Sequence, residues 1–220
     1  MNLPADQTGL RLYPGYFDRT RQEALLAAVN ACLTTAPLYT PRMPNSGRPF
    51  TVRMSNCGSL GWVSDERGYR YQPNHPENGR PWPPIPQALI DAWNDLAHYA
   101  AAPEACLINF YGASAKMGLH QDRDEVDFEA PVVSISLGDS CLFRIGGLKR
   151  KDPTASFRLA SGDVAVLGGN MRLAFHGVDR IFPGTSTLLA EDGRINLTLR
   201  RVTRPAVPQS HPQPMARESA

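Results

Sequence analysis

The chain has almost no net charge, few cysteines and no long apolar run. Its formal charge is +2 over 220 residues, so bulk electrostatics supply no pull toward nucleic acid or an anionic membrane. Any such contact must be a local patch. Cys32, Cys57, Cys106 and Cys141 include no C-x-x-C pair, which argues against a structural zinc site. Cys106 and Cys141 lie inside apolar runs and read as buried thiols. The N-terminus lacks a basic stretch followed by an apolar one, so no secretory signal is expected. No apolar run approaches the ~20 residues that cross a bilayer. The expectation is a soluble, cytoplasmic protein with reduced cysteines and no membrane partner. Histidine is also scarce, at five residues, so the place of each one carries information.

What is present is enough for a core, with 42% hydrophobic residues in a length that suits one elaborated domain or two small ones. Leu25, Leu26, Val29 and Leu33 recur at helical spacing, so a helix is expected over 18–33 with Asp18 as its N-cap. Residues 36–84 are rich in proline and glycine and read as hairpins and loops. A second helix is expected over 86–101, with Pro86 in its first turn and Leu89, Ile90, Trp93, Leu96 and Ala100 in one apolar stripe. Beyond Pro103, short strands alternate with turns, over 105–111, 118–122, 132–137, 140–145, 156–159, 163–167, 172–178 and 194–202. Gly138-Asp139 reads as a hairpin connection. This pattern predicts a β-sandwich or jelly roll. The expected division is 1–103 for helices and loops, 104–203 for the β core and 204–220 for a proline-rich, disordered tail.

The stretch HQDRDE at 120–125 sets an imidazole two residues before a carboxylate. In a strand, positions i and i+2 share a face, so His120 and Asp122 aim at a common point. His176, in a predicted strand 54 residues beyond Asp122, completes two imidazoles and one carboxylate. Three such ligands leave open positions on a six-coordinate ion, the arrangement of non-haem iron(II) oxygenases. The other histidines read as structural: His75 in a Pro/Asn loop, His98 on the second expected helix, His211 in the tail.

The last predicted strand, RINLTLR, places Ile195, Leu197 and Leu199 on one face and Arg194, Asn196, Thr198 and Arg200 on the other. The polar face is either solvated or turned into a wet pocket. An inward arginine needs an anion, because an unpaired buried charge is costly. A dicarboxylate would serve, since a guanidinium grips a carboxylate with two prongs. Asn109 and Tyr111 repeat the same-face spacing and offer hydrogen bonds to the same ligand.

Several motifs together carry a resemblance: GWVSDERGYRYQP, INFYGASAKMGLHQDRDE, GGLKRKDP, SGDVAVLGG, FHGV and RINLTLR. The sequence resembles, over about residues 55 to 202, the AlkB family of Fe(II)- and 2-oxoglutarate-dependent dioxygenases, close to its bacterial DNA-repair members. The resemblance implies a mainly β (α+β) fold: a double-stranded β-helix (jelly roll) core with N-terminal helices and a hairpin nucleotide-recognition lid. It implies His120, Asp122 and His176 as iron ligands. It implies Arg194 on the distal 2-oxoglutarate carboxylate and Arg200 near the metal-side one, with Asn109, Tyr111 and Asn196 also at the cosubstrate. For substrate it implies Trp62 and Tyr69 on the lid, Asp124 and Glu125 around the base, and Arg150 nearby. Leu167 departs from the pattern, which has an aromatic residue there, and is expected to alter packing only.

The reaction implied is oxidative demethylation of N1-methyladenine and N3-methylcytosine in alkylated DNA, or in RNA. It uses Fe(II), 2-oxoglutarate and O2, and releases formaldehyde, succinate and CO2. Such bases are cationic and poorly paired, hence cheaper to flip. Trp62 is then a stacking platform, or alternatively a hydrophobic plug. Arg42, Arg48, Arg53, Arg67 and Arg70 contact phosphates or form a solvated loop face. The expected enzyme is a monomer. Two other readings compete with it: the same oxygenase chemistry on a protein or small molecule, and a non-catalytic nucleic-acid binder of the same fold.

Overall fold

A computed structural model describes residues 9–205. The expected tail beyond Pro205, with His211, lies outside the described residues. Asp18 caps α1 (Arg19–Thr35), its carboxylate accepting from the Arg21 amide at 2.8 Å. The helix buries Leu25, Val29 and Cys32 on one side. The second helix, α2 (Gln87–Leu96), is shorter than its apolar stripe predicts. Pro86 is its N-cap, with an extended ψ of 141°, rather than a residue of the first turn. His98 stands off the helix with φ +50°. The Trp93 indole donates to the Ala101 carbonyl at 3.0 Å, closing the chain back on itself there.

The first six strands are β1 (Leu10–Tyr13), β2 (Arg53–Gly58), β3 (Gly61–Asp65), β4 (Gly68–Gln72), β5 (Ala105–Tyr111) and β6 (Met117–His120). The rest are β7 (Val132–Gly138), β8 (Ser140–Ile145), β9 (Ala155–Leu159), β10 (Val164–Leu167), β11 (His176–Phe182) and β12 (Arg194–Arg200). They form a major sheet in the order β1-β10-β7-β12-β5-β2, a minor sheet β6-β11-β8-β9, and a separate hairpin β3-β4. The pairings are antiparallel. This is the expected jelly roll with a hairpin lid. Two strands from the first 103 residues, β1 and β2, are the edges of the major sheet.

Gly138-Asp139 does not close a hairpin. β7 belongs to the major sheet and β8 to the minor one, so this turn carries the chain between layers. Gly138 has φ +84°, and a Cβ there would lie 2.6 Å from the Gly193 carbonyl oxygen. Asp139 fixes the corner by accepting from the amides of Thr185, Ser186 and Gly193 at 2.9, 3.1 and 2.8 Å.

The strand alternation decides where the core and the site lie. Ile195, Leu197 and Leu199 pack with Leu25, Val29, Leu89 and Trp93 in the cluster between helices and major sheet. Fully burying each such side chain is worth ~1.5–3 kcal/mol. The opposite face of β12 looks into a cavity of about 450 Å³ between the two sheets, lined by Arg194, Asn196, Thr198 and Arg200. The polar face is therefore inward, not solvated.

Candidate active site

β6 and β11 pair so that His120 faces His176 across the ladder. Gly177 allows this approach: a Cβ there would sit 2.6 Å from the Met117 carbonyl oxygen. Two sequence expectations shift. The expected strand 118–122 ends at His120, so Asp122 lies in the following loop. The expected strand 172–178 starts only at His176, after a short 3-10 turn over Gly169–Met171. The three side chains nevertheless converge. His120 Nε2 is 3.7 Å from Asp122 Oδ1, and His176 Nε2 is 3.8 Å from Asp122 Oδ2. One ligand atom from each of the three lies within 4.8 Å of the others.

The proton positions follow from the partners. His120 Nδ1 lies 3.0 Å from the Gly118 carbonyl, and His176 Nδ1 lies 3.0 Å from that of Ala174. A carbonyl only accepts, so each Nδ1 carries a proton and each Nε2 is the ring nitrogen turned toward Asp122. Asp122 Oδ1 takes the Arg200 guanidinium at 2.8 Å, while Oδ2 is buried with no hydrogen-bond partner. Burial opposes the Asp122 charge, but Arg200, His176 and His120 outweigh it and hold the carboxyl below the usual carboxylate range. Two imidazole Nε2 atoms and one carboxylate turned toward each other fit a divalent metal that retains open positions.

Burial, followed by the charge of His120, pushes the His176 imidazole from 6.5 down to about 4. In the unfolded chain it protonates near its ordinary value. Protons then favour the unfolded state between these two pH values, so His176 costs the metal-free protein stability as pH falls through this window. From pH 7 to 4.5 the wild-type protein is expected to lose about 2–3 kcal/mol more than His176→Gln in urea denaturation. Equal losses would contradict this.

A second set of groups fits a diacid. Arg194 is 1% exposed, and its Nε and Nη1 atoms have no hydrogen-bond partner. Its Nη2 donates to the Ser136 hydroxyl at 2.9 Å, and its guanidinium lies 5.4 Å from the Tyr111 ring centre. Asn109 presents a buried, unpartnered Oδ1. Burial pushes the Tyr111 hydroxyl up to about 12, so it remains a donor. Asn196 has partners of its own within the wall. It lines the cavity, but its amide donates to Ser134 Oγ and the Ile135 carbonyl at 2.8 and 3.1 Å and accepts from Thr198 at 3.0 Å. These bonds hold its side chain in place on the cavity wall.

The expected substrate residues separate into two groups. Trp62, Tyr69, Asp124 and Arg150 line the cavity. Trp62 and Tyr69 stack at 5.5 Å and 17°, and the Trp62 indole donates to Asp124 at 2.7 Å. Arg150 donates to the Leu119 carbonyl at 2.8 Å from the rim. Glu125 is not a cavity residue: its carboxylate is fully buried and bonded to Tyr71, Arg172 and Arg200. Leu167, expected to alter packing only, lines the cavity itself. Arg70 is held by Asp65 at 2.7 Å, and Arg53 lies over the Phe110 ring at 4.8 Å. Sequence reasoning missed Ser134 and Ser136. The signal for them was there, since they are the two polar residues of VVSISL and alternate on the inward face.

A three-ligand metal centre beside a buried, unsatisfied arginine, set between the sheets of a jelly roll, defines a 2-oxoglutarate- and Fe(II)-dependent oxygenase. A profile of the 2OG-Fe(II) oxygenase superfamily matches residues 9–200. An "Alpha-ketoglutarate-dependent dioxygenase AlkB homolog" of Caulobacter vibrioides is 57% identical over 88% of this chain and 87% of its own length. The "Alpha-ketoglutarate-dependent dioxygenase AlkB" of Escherichia coli is 42% identical over 81% of this chain and 84% of its own. The solved structure of OsALKBH1 superposes with a TM-score of 0.74 at 32% identity, covering 88% of this chain and 96% of that one. The chain belongs to the AlkB family. More distant relatives bear the names "DNA N(6)-methyladenine demethylase ALKBH1A" in Arabidopsis thaliana, at 36% identity, and "tRNA demethylase abh1" in Schizosaccharomyces pombe, at 32%.

Proposed function

We propose that this dioxygenase repairs alkylated nucleic acid by oxidative demethylation of N1-methyladenine and N3-methylcytosine, releasing formaldehyde, succinate and CO2. The observation that carries it is the aromatic hairpin at the mouth of the site: Trp62, with Tyr69 stacked on it, borders the same cavity as His120 and Asp124. A protein or small-molecule substrate gives no reason for that platform. The names of the two demethylase relatives, one acting on DNA and one on tRNA, support a nucleic-acid substrate. A single chain supplies every ligand of the site, which suits a monomer.

His120, Asp122 and His176 would hold iron(II), which would supply oxidation of the methyl group at the expense of 2-oxoglutarate and O2. The rest is done by the chain itself. Arg194 would hold the remote carboxylate and Tyr111 donates beside it. The Trp62 face receives a flipped, cationic ring, an attraction of ~0.5–2 kcal/mol. Asp124 serves twice, fixing the plane of Trp62 and placing a negative charge at the cavity. Poorly paired lesions are the ones whose extrusion costs least.

Formaldehyde release from a panel of methylated single- and double-stranded oligonucleotides tests this reading. Release from N1-methyladenine or N3-methylcytosine is the expected result, and none from any member would overturn it. In the same assay Trp62→Ala should raise KM for the oligonucleotide several-fold and leave Mn(II) affinity unchanged. An unaltered KM would remove the stacking role.

A further inference from the structure

Arg172 is a buried cation, 2% exposed, at the end of the 3-10 turn that leads into His176. Its guanidinium reaches three points on the loop between β6 and β7. Nε donates to the Ala130 carbonyl at 2.8 Å, Nη1 to the Asp122 carbonyl at 2.7 Å, and Nη2 to Glu125 Oε2 at 3.1 Å. The loop that carries the metal carboxylate is thus wrapped around one side chain, with the Phe128 ring 5.6 Å away. Glu125 continues the chain of contacts. Its Oε1 accepts from the Tyr71 hydroxyl on the lid and pairs with Arg200 Nη1 at 3.4 Å. Arg200 Nη2 in turn meets Asp122 Oδ1 at 2.8 Å.

We infer that Arg172 and Glu125 are positioning residues of the metal centre. Arg172 fixes the main chain of Asp122. Glu125 fixes the guanidinium of Arg200, which turns the Asp122 carboxylate so that Oδ1 lies 3.7 Å from His120 Nε2 and Oδ2 lies 3.8 Å from His176 Nε2. The inference rests on the metal site and not on the choice of substrate. Charge balance supports it: two carboxylates, Asp122 and Glu125, offset two guanidiniums, Arg172 and Arg200, among buried groups. Loss of either partner leaves a buried charge without its counterion. Outer-shell partners that orient a metal ligand typically change metal affinity ~10–100-fold when removed.

The test uses the full chain and two variants. Arg172→Lys keeps the charge, but one ammonium group does not span acceptors on Ala130, Asp122 and Glu125 together. Glu125→Gln keeps the shape and removes the charge. Mn(II) affinity is read from the electron paramagnetic resonance signal of free Mn(II), well below each variant's melting temperature, alongside the melting curve itself. Both variants are expected to bind Mn(II) about 10–100-fold more weakly while folded. A lowered melting temperature with wild-type Mn(II) affinity would reduce both residues to structural supports and overturn the inference. Should Arg172→Lys fail to fold, the Glu125→Gln affinity alone decides.

Discussion

The His120→Ala variant is expected to lose 2-oxoglutarate turnover to background while melting close to the wild-type temperature. The two effects separate because His120 is exposed where its fellow ligands are not. Its side chain is 40% exposed, against 5% for Asp122 and 11% for His176. Its hydrogen bond runs to a backbone carbonyl two residues away. Truncation therefore opens no core and strands no charge, but it leaves the metal with two protein ligands. Asp122→Ala is the contrast. It removes the nearer of the two carboxylates on Arg200 and leaves Glu125 at 3.4 Å, and breaking one partner from such a buried pair costs up to ~3–5 kcal/mol. Succinate formation and thermal denaturation check both. Turnover retained in His120→Ala would take this residue out of the metal site.

Arg194→Met should raise the 2-oxoglutarate concentration for half-maximal turnover by at least ~100-fold, the equivalent of ~3 kcal/mol from a buried charge-assisted pair. It should do so without destabilising the empty protein. The guanidinium is almost fully buried, with two nitrogens lacking hydrogen-bond partners and a serine hydroxyl on the third. A buried cation in that state disfavours folding until an anion arrives. Methionine fills a similar volume without charge, so the metal-free variant is expected to melt at or above the wild-type temperature. Arg194→Lys keeps the charge but lacks the two-pronged fork and should recover only part of the affinity. A variant with wild-type 2-oxoglutarate dependence would mean that the diacid binds elsewhere.

Much of this site was legible because it lies on strands. In β12 the alternation of apolar and polar residues separates the helix-facing side from the cavity-facing side. The same period placed Asn109 and Tyr111 on the cavity wall. The metal triad was legible as three residue types, though part of the reasoning failed: Asp122 follows the strand instead of lying in it. What brings its carboxylate to the histidines is Arg200 and the loop wrapped on Arg172. Neither contact has a local signal, since their partners are 78 and 50 residues away in sequence (200 − 122 and 172 − 122). Glu125 was misplaced for the same reason. It is next to Asp124, but only the fold shows that one carboxylate reaches the lid tryptophan and the other the buried arginines. The second helix was overextended because its apolar stripe continues in sequence past Leu96, while the Trp93–Ala101 contact bends the chain away.

The most direct test is a crystal structure of the protein with Mn(II) and 2-oxoglutarate, the metal located by its anomalous scattering. The account predicts one metal peak within bonding distance of His120 Nε2, His176 Nε2 and the Asp122 carboxylate, with a carboxylate of the diacid on Arg194. A metal peak away from these three side chains, or a diacid that leaves Arg194 without an anion, would contradict it.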